Sequence, residues 1–204
     1  MKLEPRQTCR ICNSNQLSTI MSLGEQHLAA YTPKGSDPEP VLGKFSLELI
    51  RCNALDCGLV QLRHSTPTDI LYERYFYRSG INQTMTDNLK EIVDQAILKV
   101  DVAENDIVLD IGCNDGTLLK NYQGKNIRAV GIDPAKNMLE FSKGSDAHII
   151  VDYFNSECFI EHYSNDKAKI ITSISMFYDL EDPNKFVSDI TKILDKEGVW
   201  VIEL

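Results

Sequence analysis

The chemistry this chain could do gathers around two carboxylates. Asp110 lies in the run Val108-Leu109-Asp110-Ile111-Gly112-Cys113-Asn114-Asp115-Gly116, and Asp133 closes Ile127-Arg128-Ala129-Val130-Gly131-Ile132-Asp133. The first run joins an apolar strand to a turn of pattern acid-x-Gly-x-x-x-Gly, which differs from the Gly-x-Gly-x-x-Gly of dinucleotide oxidoreductases. Gly112 would let a ligand approach the backbone closely, Asn114 sits in the same turn, and Gly116 is expected to open a helix whose free amides meet a carboxylate. Asp133 is placed to accept two ribose hydroxyls, and Asp110 to orient an ammonium group directly or through water. A plain strand-to-helix turn could carry the same glycines. An acid at the end of the next strand is an independent coincidence, and the pair points to S-adenosylmethionine rather than NAD. Cys113 has no histidine near it in sequence and is expected to pack in the turn.

A second group of reactive side chains lies near the N-terminus. Cys9-Arg10-Ile11-Cys12 and Cys52-Asn53-Ala54-Leu55-Asp56-Cys57 form two close pairs, separated by a long stretch with Pro33, Gly35, Pro38, Pro40 and Gly43. Two such knuckles suit one tetrahedral zinc with Cys9, Cys12, Cys52 and Cys57 as ligands. Four thiolates leave no open position for substrate, so the site is expected to be structural, stapling a segment with little core of its own. The alternative is incidental or buried thiols.

Other candidate contacts follow from position. Asp152, Tyr153 and Phe154 end the third expected strand, where an acid and an aromatic could bracket an adenine. Ser175, ending the fourth, faces the same cleft. Between the two parts, Tyr72 to Met85 is unusually aromatic and polar, and Tyr77, Ser79, Thr84 and Met85 are its candidate ligand contacts, with a hydrophobic plug as the plainer reading. The four histidines are scattered without metal spacing.

These residues need a scaffold. Residues 1–66 read as a small β-rich zinc-binding module, with strands at Lys44–Arg51 and Gly58–Leu62. Residues 67–105 read as the aromatic connection and an amphipathic helix bearing Leu89, Ile92, Val93, Ala96, Ile97 and Val100 at helical spacing. Residues 106–204 read as an α/β Rossmann-like domain of about five parallel strands, at Ile107–Gly112, Ile127–Asp133, Ala147–Tyr153, Lys169–Met176 and Val199–Leu204, with helices between them. The last helix is expected from Asp182-Pro183 to Leu194, with Gly198 in the turn after it.

With 21 basic and 30 acidic side chains among 204 residues, the net charge of -9 offers no broad basic surface to nucleic acid or anionic lipid. The N-terminus lacks the apolar core of a signal peptide, and no apolar run is long enough to cross a bilayer. A cytoplasmic protein is expected, in which six cysteines serve better as metal ligands or buried thiols than as disulfides.

In order along the chain, the Cys-x-x-Cys start, Cys57-Gly58-Leu59-Val60-Gln61-Leu62, Tyr77-Arg78-Ser79-Gly80-Ile81-Asn82-Gln83-Thr84-Met85, Asp110 to Gly116 and Phe177-Tyr178-Asp179-Leu180-Glu181-Asp182-Pro183 resemble the deoxysugar C-methyltransferases. The resemblance implies a class I methyltransferase sheet behind a zinc module, S-adenosylmethionine as cofactor, and methylation of a carbon beside the keto group of a nucleotide-linked sugar. It also implies a later segment with a Tyr/His-Glu-His catalytic motif and a further C-terminal domain. Nothing up to Leu204 matches that motif, so no residue here is assigned as catalytic base. Val199–Leu204 reads as a strand buried on both faces yet lies at the end of the chain, so a fragment or one half of a split enzyme is expected. Two other readings stay open: a non-catalytic half that associates with a partner chain, and an O- or N-methyltransferase on another small molecule.

Overall fold

The computed structural model describes residues 3–28 and 44–204. The stretch with Pro33, Gly35, Pro38, Pro40 and Gly43 lies outside the described residues. The chain divides into two compact units, one running to Leu71 and including Glu181–Pro183, the other formed by Tyr72–Leu180 and Asn184–Leu204.

The first unit is a three-stranded antiparallel sheet of β1 (Leu17–Gln26), β2 (Phe45–Cys52) and β3 (Val60–Leu62), followed by the short helix α1 (Thr68–Tyr72). β2 and β3 fall where alternation placed them. β1 was not foreseen, because nine of its ten positions are exposed and leave no buried face to read. Among the described residues, only Cys9, Phe45, Ile50 and Cys52 form the unit's buried apolar core, too little to hold a sheet alone.

The second unit is built on a five-stranded parallel sheet in the order β6 (His148–Ile150), β5 (Arg128–Ile132), β4 (Ile107–Ile111), β7 (Ala168–Ile174), β8 (Leu194–Glu203). Strand parity divides its core. Ile107, Leu109 and Ile111 join Val130, Ile132, Phe159, Ile171 and Ile190 on one side, whereas Val108 and Ile170 meet Leu89, Val93 and Ala96 of helix α2 (Gln83–Ile97) on the other. Asn82 caps α2 by accepting the amides of Thr84 and Met85 through its side chain. The remaining helices are α3 (Leu139–Ser142), α4 (Ser156–Tyr163) and α5 (Pro183–Ile193).

Three expectations are corrected. Gly116 opens no α-helix: a 3-10 turn at Leu119–Tyr122 is the only helical element between β4 and β5, because Asn121, Gly124 and Asn126 interrupt the segment and two of these take positive φ. The crossover between β5 and β6 is likewise short, a 3-10 turn leading into the single turn of α3. Finally, β8 starts at Leu194, directly after α5, so Gly198 lies within the strand, next to a register break opposite Ala168 and Ile170. An added Cβ there would come 2.9 Å from the Lys169 carbonyl oxygen. β8 is half-buried rather than buried on both faces.

Gly131 shows how tightly the sheet centre is packed. A Cβ at this position would stand 2.5 Å from Cys113 Sγ, 2.7 Å from Ile149 Cδ1 and 2.9 Å from Leu119 Cδ1. Gly131→Ala is expected to cost about 1–3 kcal/mol through overpacking. Urea unfolding followed by Trp200, the chain's one tryptophan, whose indole donates to Ser173 Oγ at 3.2 Å, checks this. An unchanged midpoint would show that the neighbouring side chains give way freely.

Candidate functional site

Chain order reverses around β4, since β5 and β6 extend to one side and β7 and β8 to the other. A ligand crevice in such a sheet lies at the carboxyl ends of the strands beside this switch. β4 delivers Asp110 there on the Val108 face, at 4% exposure. Thr172 of β7 donates its hydroxyl to Asp110 Oδ1 at 2.6 Å. Burial outweighs that hydrogen bond and, with the nearby Asp133 charge, raises the Asp110 carboxyl to about 7.

The turn after β4 has a fixed left-handed geometry. Gly112, Asn114 and Gly116 take φ of +73°, +52° and +73°. At Gly112 an added Cβ would meet Met176 Cγ at 3.4 Å, and at Gly116 it would meet Ser142 Cβ at 3.3 Å. Gly116 therefore serves close packing behind the turn. Cys113 is buried, as expected, and burial pushes its thiol well up.

Asp133 closes the other side. Its Oδ2 accepts the Asn114 amide and its Oδ1 the Ala135 amide, both at 2.8 Å. Burial raises its carboxyl while these two amides pull it back. Each oxygen keeps a second lone pair for a hydroxyl donor. Asp133 thus ties the glycine turn to its own strand end, a duty that its spacing alone did not reveal.

The segment before α2 meets both loops. Ser79 N donates to Asn114 Oδ1 at 3.1 Å, and Asn114 Nδ2 donates to the Tyr77 carbonyl at 3.0 Å. Gly80 N donates to Asp115 Oδ2 at 2.9 Å, while Asp115 Oδ1 accepts the Thr117 hydroxyl at 2.6 Å. Tyr75 exchanges two hydrogen bonds with the Asn137 amide, at 3.0 and 2.7 Å. The Arg78 guanidinium stands 3.9 Å over the Phe141 ring. Tyr77 and Ser79 are thus brought to the glycine turn. Asp115, Asn137 and Thr172 escaped the sequence reading because each acts on a partner far along the chain.

The other expected contacts are arranged differently. Thr84 is exposed in the first turn of α2, and Met85 packs against the core beneath that helix. Phe154 lies 5.0 Å from the Phe186 ring in an edge-to-face contact and packs against the core. Asp152 is exposed and accepts the Tyr153 amide at 2.7 Å. Ser175 is exposed with φ +53°, and its amide donates to the Glu203 carbonyl at 2.9 Å.

In the first unit, the four sulfurs of Cys9, Cys12, Cys52 and Cys57 lie within 4.8 Å of one another. Cys9 to Cys57 is 3.7 Å and Cys12 to Cys52 is 3.6 Å. A tetrahedron of thiolates about 2.3 Å from zinc has edges of about 3.8 Å, so the cysteines fit the ion. Gln61 Nε2 donates to Cys9 Sγ at 3.4 Å. Burial opposes ionisation of Cys9, yet the amides of Cys12 and Ile11 and the Gln61 side chain bring its thiol down to about 6.

No helix among the described residues is long and apolar enough to cross a membrane. Residues 9–72 match a family described as "Putative zinc binding domain", and residues 75–204 match one described as "Methyltransferase domain". The C-methyltransferase NovU of Streptomyces niveus is 23% identical over 203 residues, covering 99% of this chain and 48% of that protein. The ubiquinone biosynthesis O-methyltransferase of Bartonella quintana is 27% identical over 101 residues, 48% of this chain and 41% of that protein. The chain therefore spans about half the length of the curated relatives it matches. Among solved structures, the plantazolicin methyltransferase BamL, in complex with a triazolic desmethylPZN analog and SAH, overlaps 58% of this chain and 46% of its own at 22% identity, with a TM-score of 0.48. With its parallel sheet, its glycine turn and the match over residues 75–204, this chain belongs to the methyltransferase-domain family.

Proposed function

We propose that the chain holds S-adenosylmethionine between the glycine turn and Asp133, and forms the zinc and donor-binding portion of a C-methyltransferase acting on a nucleotide-linked keto-deoxysugar. The observation that carries the donor site is the joining of Asp110, Asp133 and the left-handed turn at the switch point of the sheet. The similarity to NovU along 99% of this chain favours carbon as the acceptor atom over oxygen, since the O-methyltransferase likeness covers only 48%.

The bound donor would supply an electrophilic methyl group on a sulfonium. The residues here bind and orient it: Asp133 by accepting ribose hydroxyls, Asp110 by facing the ammonium group, and Tyr77 and Ser79 from the segment across the turn. Proton removal beside the acceptor's carbonyl is left to residues beyond those assigned in this chain. Zinc, held by the four cysteines, would be structural. A further domain or a partner chain would complete the enzyme.

Calorimetric titration of the full chain with S-adenosylhomocysteine tests the donor site. Asp133→Asn retains size but loses the charge that two hydroxyls would use, and is expected to weaken binding about thirtyfold, since hydrogen bonds to a charged group contribute about 1.5–3 kcal/mol. No binding to the folded wild-type chain would overturn the reading. Product analysis on a keto-sugar nucleotide, with the complete protein, separates carbon from oxygen or nitrogen methylation.

A further inference from the structure

Tyr75 to Gly80 is a strap held almost entirely by side chains of other segments. Among the described residues, no backbone-to-backbone hydrogen bond joins it to another element; its one such bond is local, from Ile81 N to the Arg78 carbonyl at 3.3 Å. Five side-chain contacts replace a ladder. Asn137 takes both backbone polar groups of Tyr75, Asn114 takes the Ser79 amide and the Tyr77 carbonyl, and Asp115 takes the Gly80 amide. Packing at the last clamp is close, for a Cβ on Gly80 would come 2.7 Å from Thr117 Oγ1 and 3.0 Å from Asp115 Oδ2.

These clamps come from two loops. Asn114 and Asp115 belong to the turn after β4, and Asn137 follows β5 by way of Asp133. The strap therefore bridges the two strand ends that frame the donor crevice. A direct path links it to that crevice, because the Asn114 side chain holds the strap while its amide is held by Asp133 at 2.8 Å.

We infer that Asn137 and Asp115 are positioning residues for the methyl donor, acting through the strap's backbone to hold Tyr77 and Ser79 across the crevice. This rests on the donor site proposed above. The inference requires reciprocity: if latching the strap favours the donor, the donor must favour the latched strap. The amides of Tyr75, Ser79 and Gly80 report latching directly, since each is the donor in one clamp.

The test uses S-adenosylhomocysteine and the full chain, with hydrogen exchange at those three amides read by NMR beside the binding affinity. In the wild type, ligand should slow exchange at all three. Asn137→Ala, which removes two neutral hydrogen bonds, should weaken affinity about tenfold. It should also abolish ligand protection at Tyr75. Asn137→Asp preserves size and the acceptor for Tyr75 N while setting a carboxylate against the Tyr75 carbonyl, so it should reproduce the loss if the alanine variant fails to fold. Asp115→Ala should act likewise from the other loop, with Gly80 as its reporter. Wild-type affinity in the Asn137 variants would overturn the inference, as would exchange at the three amides that ignores the ligand. Absence of any binding to the wild type overturns the donor site itself.

Discussion

Stripping zinc from the first unit, or replacing Cys52 with serine, is expected to unfold the three-stranded sheet while Trp200 still reports a folded parallel sheet. The reason is the small core: among the described residues, Cys9, Phe45, Ile50 and Cys52 are its buried apolar side chains, and two of them belong to the sulfur cluster. β1 buries no position and β3 only Gln61, whose amide donates to the Cys9 sulfur. The sulfur cluster therefore ties the start of the chain to the end of β2 and the turn before β3. Structural zinc in small modules supplies an apparent 10–16 kcal/mol, comparable with or above the roughly 5–15 kcal/mol of a whole domain. Without the ion, an amide from Ala54 pulls the Cys52 thiol down, but burial and contact with the other sulfurs outweigh it and push the thiol up to about 12. Metal analysis should find one zinc per chain. Amide exchange after chelation should lose protection at Cys52 and Leu62 together. Protection that survived chelation at these positions would show that the ion is not the staple.

How much of this was legible in the sequence depended on the distance between partners. β4 and β5 were readable because Ile107-Val108-Leu109 and Ala129-Val130 are apolar runs that end in an acid or a glycine, and both strands lie centrally in the sheet. The cysteine cluster was readable because knuckle spacing is local. Asp110 and Asp133 were readable as a pair because strand ends in a parallel sheet lie side by side. The strap's clamps were not. Gly80 offers Asp115 only a backbone amide, 35 residues away, and Tyr75 offers Asn137 only a peptide group, 62 residues away. No side-chain type marks such a partner. The crossovers misled for the opposite reason: a helix is the usual link between parallel strands, whereas between Gly112 and Arg128 local turn residues outweighed that preference. Met85 and Phe154 were ambiguous in kind, since an apolar side chain beside a crevice can face either the ligand or the core, and here Met85 packs inward and Phe154 lies against Phe186.

Affinity for S-adenosylhomocysteine should rise about tenfold per pH unit on approaching neutrality and level off above about pH 7, with Asp110→Asn removing the dependence. Asp110 is buried, held by one hydroxyl from Thr172, and raised to about 7 chiefly by desolvation. A cationic ammonium binds its ionised form, so below that value binding must first expel a proton. Of the other groups around it, Cys113 and Tyr122 are pushed up by burial and stay neutral in this range, and burial also raises the Asp133 carboxyl against the pull of two amides. The unliganded protein should show the opposite trend. A carboxyl whose folded value exceeds its unfolded one costs nothing while both states are protonated, and its penalty grows as pH climbs from the unfolded value to the folded one. From about pH 4 to 7, Asp110 should therefore remove about 4 kcal/mol of stability. Asp110→Asn should be the more stable protein at pH 8 and the weaker binder. Urea midpoints and titrations at pH 5, 6, 7 and 8 would measure both trends. A wild-type affinity flat across that range would mean that Asp110 does not face the donor's cation. If the trends run as expected, the fold retains a buried acid that destabilises it until a cation arrives, and the donor site draws selectivity for a positive ligand from that same strain.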